Sequence, residues 1–266
     1  MYKKGMKKIN FIPNIVTAFG LACGLYIIFK ANMTGIGTYE FLHQMTLVLI
    51  LAGVADVLDG ALARAIKAES EFGLIFDSLA DAISFGVAPA VLLLKSLSLL
   101  QGSILSFFAL AAAMLYTVCG VLRLGRFNVR AKQAKAEDKK VFIGLPIPAA
   151  ALAIVAPNLL LNSPFMQIIF PRSEVMQTIT LSTITIIVAY LMVSRIRFPS
   201  QKAVHLQKPF SFRYLLLGST IAIGIFYGLF YSLSILLMVI SWGYVSYSLL
   251  KALLRALSRK TSPSKK

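Results

Sequence analysis

Four of the chain's ten acidic residues, Asp56, Asp59, Asp77 and Asp81, fall within one 26-residue stretch, DVLDGALARAIKAESEFGLIFDSLAD. Asp56 and Asp59 are three apart and Gly60 is four from Asp56, so on a helix they share one face. Gly73, Asp77 and Asp81 follow each other at intervals of four and form a second stripe. The short polar link between the two runs, KAESEF, makes them antiparallel neighbours, and the four carboxylates then converge. Like charges so placed repel, and Arg64 alone cannot neutralise them. Hard divalent cations can, since carboxylate oxygens suit Mg²⁺, Mn²⁺ or Ca²⁺, whereas the lack of neighbouring His or Cys argues against zinc. Two ions bridged by shared carboxylates would clamp phosphate oxygens and stabilise the attacking and leaving oxygens of a displacement. Gly60 and Gly73 lack side chains on these faces and would let a nucleotide approach the backbone.

The elements that carry these residues belong in lipid. The chain is 58% hydrophobic with a mean hydropathy of +0.79. Eight windows have roughly the length and apolarity of a membrane-crossing helix: 11–29, 41–57, 75–94, 104–122, 145–161, 176–193, 214–230 and 232–250. The last two are separated by so little that one long bent helix is the competing reading. An all-α integral membrane protein of about eight transmembrane helices is therefore expected. Placing both termini in the cytoplasm puts all but Lys30, Lys95 and Arg172 of the 27 basic residues on the inner side, as the positive-inside rule requires. The net charge of +17 thus reads as topology and attraction to anionic headgroups in the bilayer, with no nucleic acid as partner. Cys23 and Cys119 both fall in predicted spans and indicate neither a disulfide framework nor a zinc site. No soluble domain can be separated, and residues 257–266 read as a disordered basic tail.

The spacing D-x2-D-G-x2-A-R-x8-G-x3-D-x3-D, filled here by Asp56, Asp59, Gly60, Ala63, Arg64, Gly73, Asp77 and Asp81, resembles the signature of the CDP-alcohol phosphotransferase family. That resemblance implies a membrane enzyme, usually a homodimer, that passes a phosphatidyl-type group from a CDP-linked lipid to an alcohol and releases CMP with the help of two divalent metals. It also implies that Asp56, Asp59, Asp77 and Asp81 hold the metals, with Asp81 serving as general base. The stretches PNIVT, FDSLADAISFGVAPA, RLGRFNV and FIGLPIPAAA are similar to the phosphatidylserine synthase branch, over residues 9–200 or so. The substrates implied are CDP-diacylglycerol and L-serine, at the cytoplasmic side of the cell's inner membrane.

Further residues carry two readings each. Arg123 and Arg126 would bind a lipid phosphate or the serine carboxylate, though topology alone also puts basic residues there. Asn128 would contact the acceptor or cap a loop. Asn14 and Thr17 share a face of the first helix and would contact the nucleotide or cap that helix. Ser78 and Ser84 more often bond locally or to a neighbouring helix, and Pro146 and Pro148 set the start of the fifth span. His43 and His205 lack the Lys two positions on that a phosphohistidine route would need, which favours direct attack by the acceptor hydroxyl. Two alternatives remain at this point: another acceptor, namely glycerol 3-phosphate, inositol phosphate or choline, and, from a different class, a multi-span transporter.

Overall fold

Helix α1 (Phe11–Met33) meets helix α2 (Tyr39–Ala65) at a small-residue crossing. A Cβ on Gly20 would sit 3.5 Å from Ala55 Cβ, so the backbones approach as closely as the missing side chain allows. Thr38 caps α2 by accepting from the Phe41 amide at 3.3 Å. The chain then turns back through α3 (Glu71–Asp81), whose N-cap Ser70 accepts from the Gly73 amide at 3.0 Å. A π-helical segment (Ala82–Val87) follows Asp81 directly and leads into α4 (Ala88–Ser96). The remaining elements are α5 (Ile104–Gln133), β1 (Val141–Ile143), α6 (Ile147–Leu161), α7 (Pro164–Ile169), α8 (Glu174–Val193), β2 (Arg197–Pro199) and α9 (Leu233–Thr261). These elements come from a computed structural model that describes residues 11–66, 70–97, 102–133, 141–169, 173–194, 196–199 and 232–261.

Six helices among the described residues are long and apolar enough to cross a membrane: 13–33, 39–65, 71–96, 104–129, 174–193 and 233–254. They coincide with six of the eight expected spans. The fifth, α6, is helical and apolar, but at 15 residues it rises only about 22 Å, short of a hydrocarbon core of about 30 Å. The seventh, 214–230, lies outside the described residues, as does His205. The chain is also not wholly helical: β1 and β2 form a two-stranded antiparallel ribbon pairing Phe142 with Phe198. Three-residue strands give no alternation long enough to read from sequence. Gly144 closes this ribbon onto α8 at φ +82°, where a Cβ would overlap the Met192 carbonyl oxygen. Helix α9 runs to Thr261, past residue 257 where the basic tail was expected, because Leu, Ala, Arg and Lys all favour helix and no proline intervenes.

The core is built around α6, most of whose residues are buried. Pro146 stands just before its first turn and Pro148 within it, where a missing N–H costs nothing. Pro157 is different. It lies inside the helix and leaves the Ala153 carbonyl, four residues earlier, without its usual donor. The indole N–H of Trp242 on α9 supplies one at 3.1 Å. In a membrane interior an unpaired carbonyl costs several kcal/mol, so this bond fastens α9 to α6.

Candidate active site

Helices α1, α2, α3 and the π segment bring the aspartate stripes together. An oxygen from each of Asp56, Asp59 and Asp77 lies within 4.8 Å of the others. Asp81 stands one turn further along, lining the same small cavity of about 10 Å³ with Thr17, Gly20, Ala52, Ser84 and Phe85. Asp59 is 4% exposed, and the other three carboxylates are half-buried. Arg64 reaches Asp59 electrostatically and Arg123 reaches Asp81, which leaves four carboxylates facing these two guanidiniums.

Asp59 is oriented from α1. Thr17 donates to Asp59 Oδ2 at 2.5 Å, with the Pro13 carbonyl 3.1 Å from the same hydroxyl oxygen. Thr17 was read as a nucleotide contact or a helix cap; what the structure shows is neither of these but a bond that holds a carboxylate. Asn14, one turn earlier, lies against α3: a Cβ at Gly73 would be 3.3 Å from Asn14 Oδ1 and 3.1 Å from Ser70 Oγ. At Gly60 the corresponding Cβ would be 3.3 Å from Arg64 Nη1. The two glycines therefore give room to Asn14 and to Arg64, the guanidinium that reaches Asp59.

The residues expected at the acceptor side have protein partners. Arg126 Nη1 donates to the Val193 carbonyl at 2.6 Å and so caps the end of α8. Asn128 Nδ2 donates to Ser78 Oγ at 2.9 Å, and the Ser78 hydroxyl lies within bonding distance of the Leu74 carbonyl and Asn128 Oδ1. Arg123 is 8% exposed, with its guanidinium 5.8 Å from the centre of the Phe127 ring and its Nε buried without a hydrogen-bond partner. Ser84 does what a hydroxyl in a membrane helix usually does, donating to the Gly20 carbonyl at 3.1 Å.

Residues 10–193 match the family of CDP-alcohol phosphatidyltransferases. The chain belongs to that family. Among CDP-alcohol phosphatidyltransferase relatives, the CDP-diacylglycerol–serine O-phosphatidyltransferase of Helicobacter pylori is 36% identical over 192 residues, 72% of this chain and 73% of the relative. The protein of that name in Bacillus subtilis is 34% identical over 193 residues, covering 73% and 92%. The one in Methanocaldococcus jannaschii is 34% identical over 194 residues, covering 73% and 76%. Helix α9 lies beyond the stretch matched to the CDP-alcohol phosphatidyltransferase family, so Trp242 ties a segment outside the family match to the core within it.

Sequence reasoning found the carboxylates but missed Gly20, Ala52 and Phe85 as cavity walls, and Tyr116 and Thr117 behind them. A small or apolar residue at helical spacing in an apolar chain carries no signal of its own. The π turn that brings Phe85 to the cavity has none either.

Proposed function

We propose that this protein transfers the phosphatidyl group of CDP-diacylglycerol to the hydroxyl of L-serine, giving phosphatidylserine and CMP. One observation carries the reading: oxygens of Asp56, Asp59 and Asp77 within 4.8 Å of one another, with Asp81 beside them, in a chain whose relatives are named for that reaction.

The donor set fits a hard divalent cation. Three carboxylates that each bring an oxygen within 4.8 Å of the others form an all-oxygen, negatively charged donor set of the kind that hard divalent cations take. Asp56, Asp59 and Asp77 would hold the first of two ions, Mg²⁺ or Mn²⁺, and Asp81 would complete the site. Such ions supply charge neutralisation to the diphosphate and to the departing CMP. Asp81 stands outside the close group of three, which supports its role as general base: it takes the proton of the serine hydroxyl as that oxygen bonds to the β-phosphorus. The bond from that phosphorus to the bridging oxygen breaks, and CMP leaves with the electron pair. Arg64, beside Asp59 and Gly60, positions phosphate. Asn14 and Thr17 border the nucleotide, Thr17 through its bond to Asp59.

Serine, rather than a phosphorylated acceptor, is favoured by the arginines. A second phosphate would need a dense basic pocket, yet Arg126 is held by Val193 and Arg123 is largely buried against Phe127. Arg123 is the better placed of the two to meet the serine carboxylate, since it alone reaches Asp81. The distribution of basic residues supports the site on the cytoplasmic side, within a single membrane domain that this reading assigns to the cell's inner membrane. A homodimer fits the family. The test is CMP release by purified protein with CDP-diacylglycerol and Mg²⁺ or Mn²⁺, comparing L-serine with glycerol 3-phosphate, inositol phosphate and choline. Release that depends on another acceptor would sink the serine reading.

A further inference from the structure

The π segment begins at the residue after Asp81 and contains two walls of the carboxylate cavity, Ser84 and Phe85. Relative to an α-helix, one inserted residue turns everything before it by about 100° against everything after it. The direction in which Asp77 and Asp81 point therefore depends on whether this stretch keeps its π register. The sequence weakens the α alternative and leaves a gap: Pro89 has no N–H for the Phe85 carbonyl four residues earlier. From α5, the hydroxyl of Tyr116, a residue 0% exposed, donates to that carbonyl at 2.7 Å. Thr117 Oγ1 lies 3.2 Å from the next carbonyl, that of Gly86, and Ser84 donates across to Gly20. The turn is thus gripped from α5 on one side and α1 on the other.

We propose that Tyr116 is a positioning residue for the carboxylate site. By occupying the Phe85 carbonyl it holds the π register, and so fixes where Asp77 and Asp81 stand relative to Asp56 and Asp59. The inference rests on the metal-assisted reading given above, and it adds a residue that touches neither substrate nor carboxylate. A merely structural role is the alternative, and the molecule contains its own control: Trp242 serves the carbonyl orphaned by Pro157 in the same way, on α6.

The experiment is a Mn²⁺ titration of purified protein in detergent, read as free Mn²⁺ by electron paramagnetic resonance, together with thermal unfolding. Tyr116→Phe is expected to bind Mn²⁺ about tenfold more weakly, the scale of lost outer partners of metal ligands, and to lose kcat rather than KM. Trp242→Phe is expected to lower the unfolding temperature while leaving Mn²⁺ affinity unchanged. The double variant Pro89→Ala/Tyr116→Phe restores an N–H for the Phe85 carbonyl but in the α register. It should recover unfolding temperature and not Mn²⁺ affinity. Thr117→Val, a milder change, should shift affinity in the same direction if Tyr116→Phe does not fold. Wild-type affinity in Tyr116→Phe, or in Thr117→Val should that variant not fold, overturns the proposal, as does recovery of both properties in the double variant or absence of Mn²⁺ binding by the wild type. Wild-type protein that binds Mn²⁺ without serine-dependent CMP release would sink the acceptor reading and leave the positioning role standing on its binding readout.

Discussion

The hydroxyl of Thr17 on α1 donates to the carboxylate of Asp59 on α2 at 2.5 Å, and through this bond the first helix sets the orientation of a carboxylate on the second. Thr17→Val keeps the shape and removes the donor. Serine-dependent CMP release should fall by about tenfold to a hundredfold, the range for lost partners of metal ligands, and the half-saturating Mn²⁺ concentration should rise. Unchanged metal dependence would mean that Asp59 is held by other means.

Asp81 and Asp77 should separate in their effects. Asp81→Asn is expected to lower kcat by about a hundredfold to ten-thousandfold, with Mn²⁺ binding largely kept by the three remaining aspartates. Asp77→Asn should lose Mn²⁺ binding as well. Equal losses of binding in both variants would remove the distinction between ligand and base.

Gly24 faces Ser84 so closely that a Cβ there would overlap the serine's side chain and its Cα. Backbone cannot move aside as a side-chain tip can. Gly24→Ala should therefore destabilise by about 1–3 kcal/mol, visible as a lower unfolding temperature in detergent. Gly125→Ala, inside α5 at a position where a Cβ would meet nothing within 4 Å, is the matching control and should not lower that temperature but hold or slightly raise it, since Ala favours helix over Gly.

Asn128 bonds to Ser78 on the helix that carries Asp77 and Asp81. If that contact is its role, Asn128→Ala and Ser78→Ala should lower kcat by similar factors, and the double variant should be little worse than either, as for residues that act together. A rise in the KM for serine confined to Asn128→Ala would instead return Asn128 to the acceptor site.

Why the carboxylate site was legible and its surroundings were not is a matter of chemistry. Aspartate in an apolar chain is costly, so each of the four announces a role, and intervals of three and four fix their faces without any tertiary knowledge. Six of the eight expected spans follow from apolar length in the same way. Arg126 carried two readings, a phosphate or carboxylate contact and a basic residue placed by topology alone; a guanidinium at a helix end serves a headgroup and a carbonyl equally well, and only packing places it on Val193. Tyr116 and Trp242 gave no signal. Their partners are backbone carbonyls freed by prolines on other helices, 31 and 89 residues away.

Helix α6 is both the shortest of the apolar helices expected to span and one of the most enclosed, with Ile147, Ala150, Ala151 and the run Ala153 to Leu159 all buried. It presents little surface to lipid, so hydrophobic mismatch cannot act on it directly. Changes in acyl-chain length will instead be absorbed by tilting of long, outward-facing helices such as α1 and α5. Bilayer thickness then reaches the carboxylate cavity through α1, which carries Thr17, while the centre of the molecule keeps its depth.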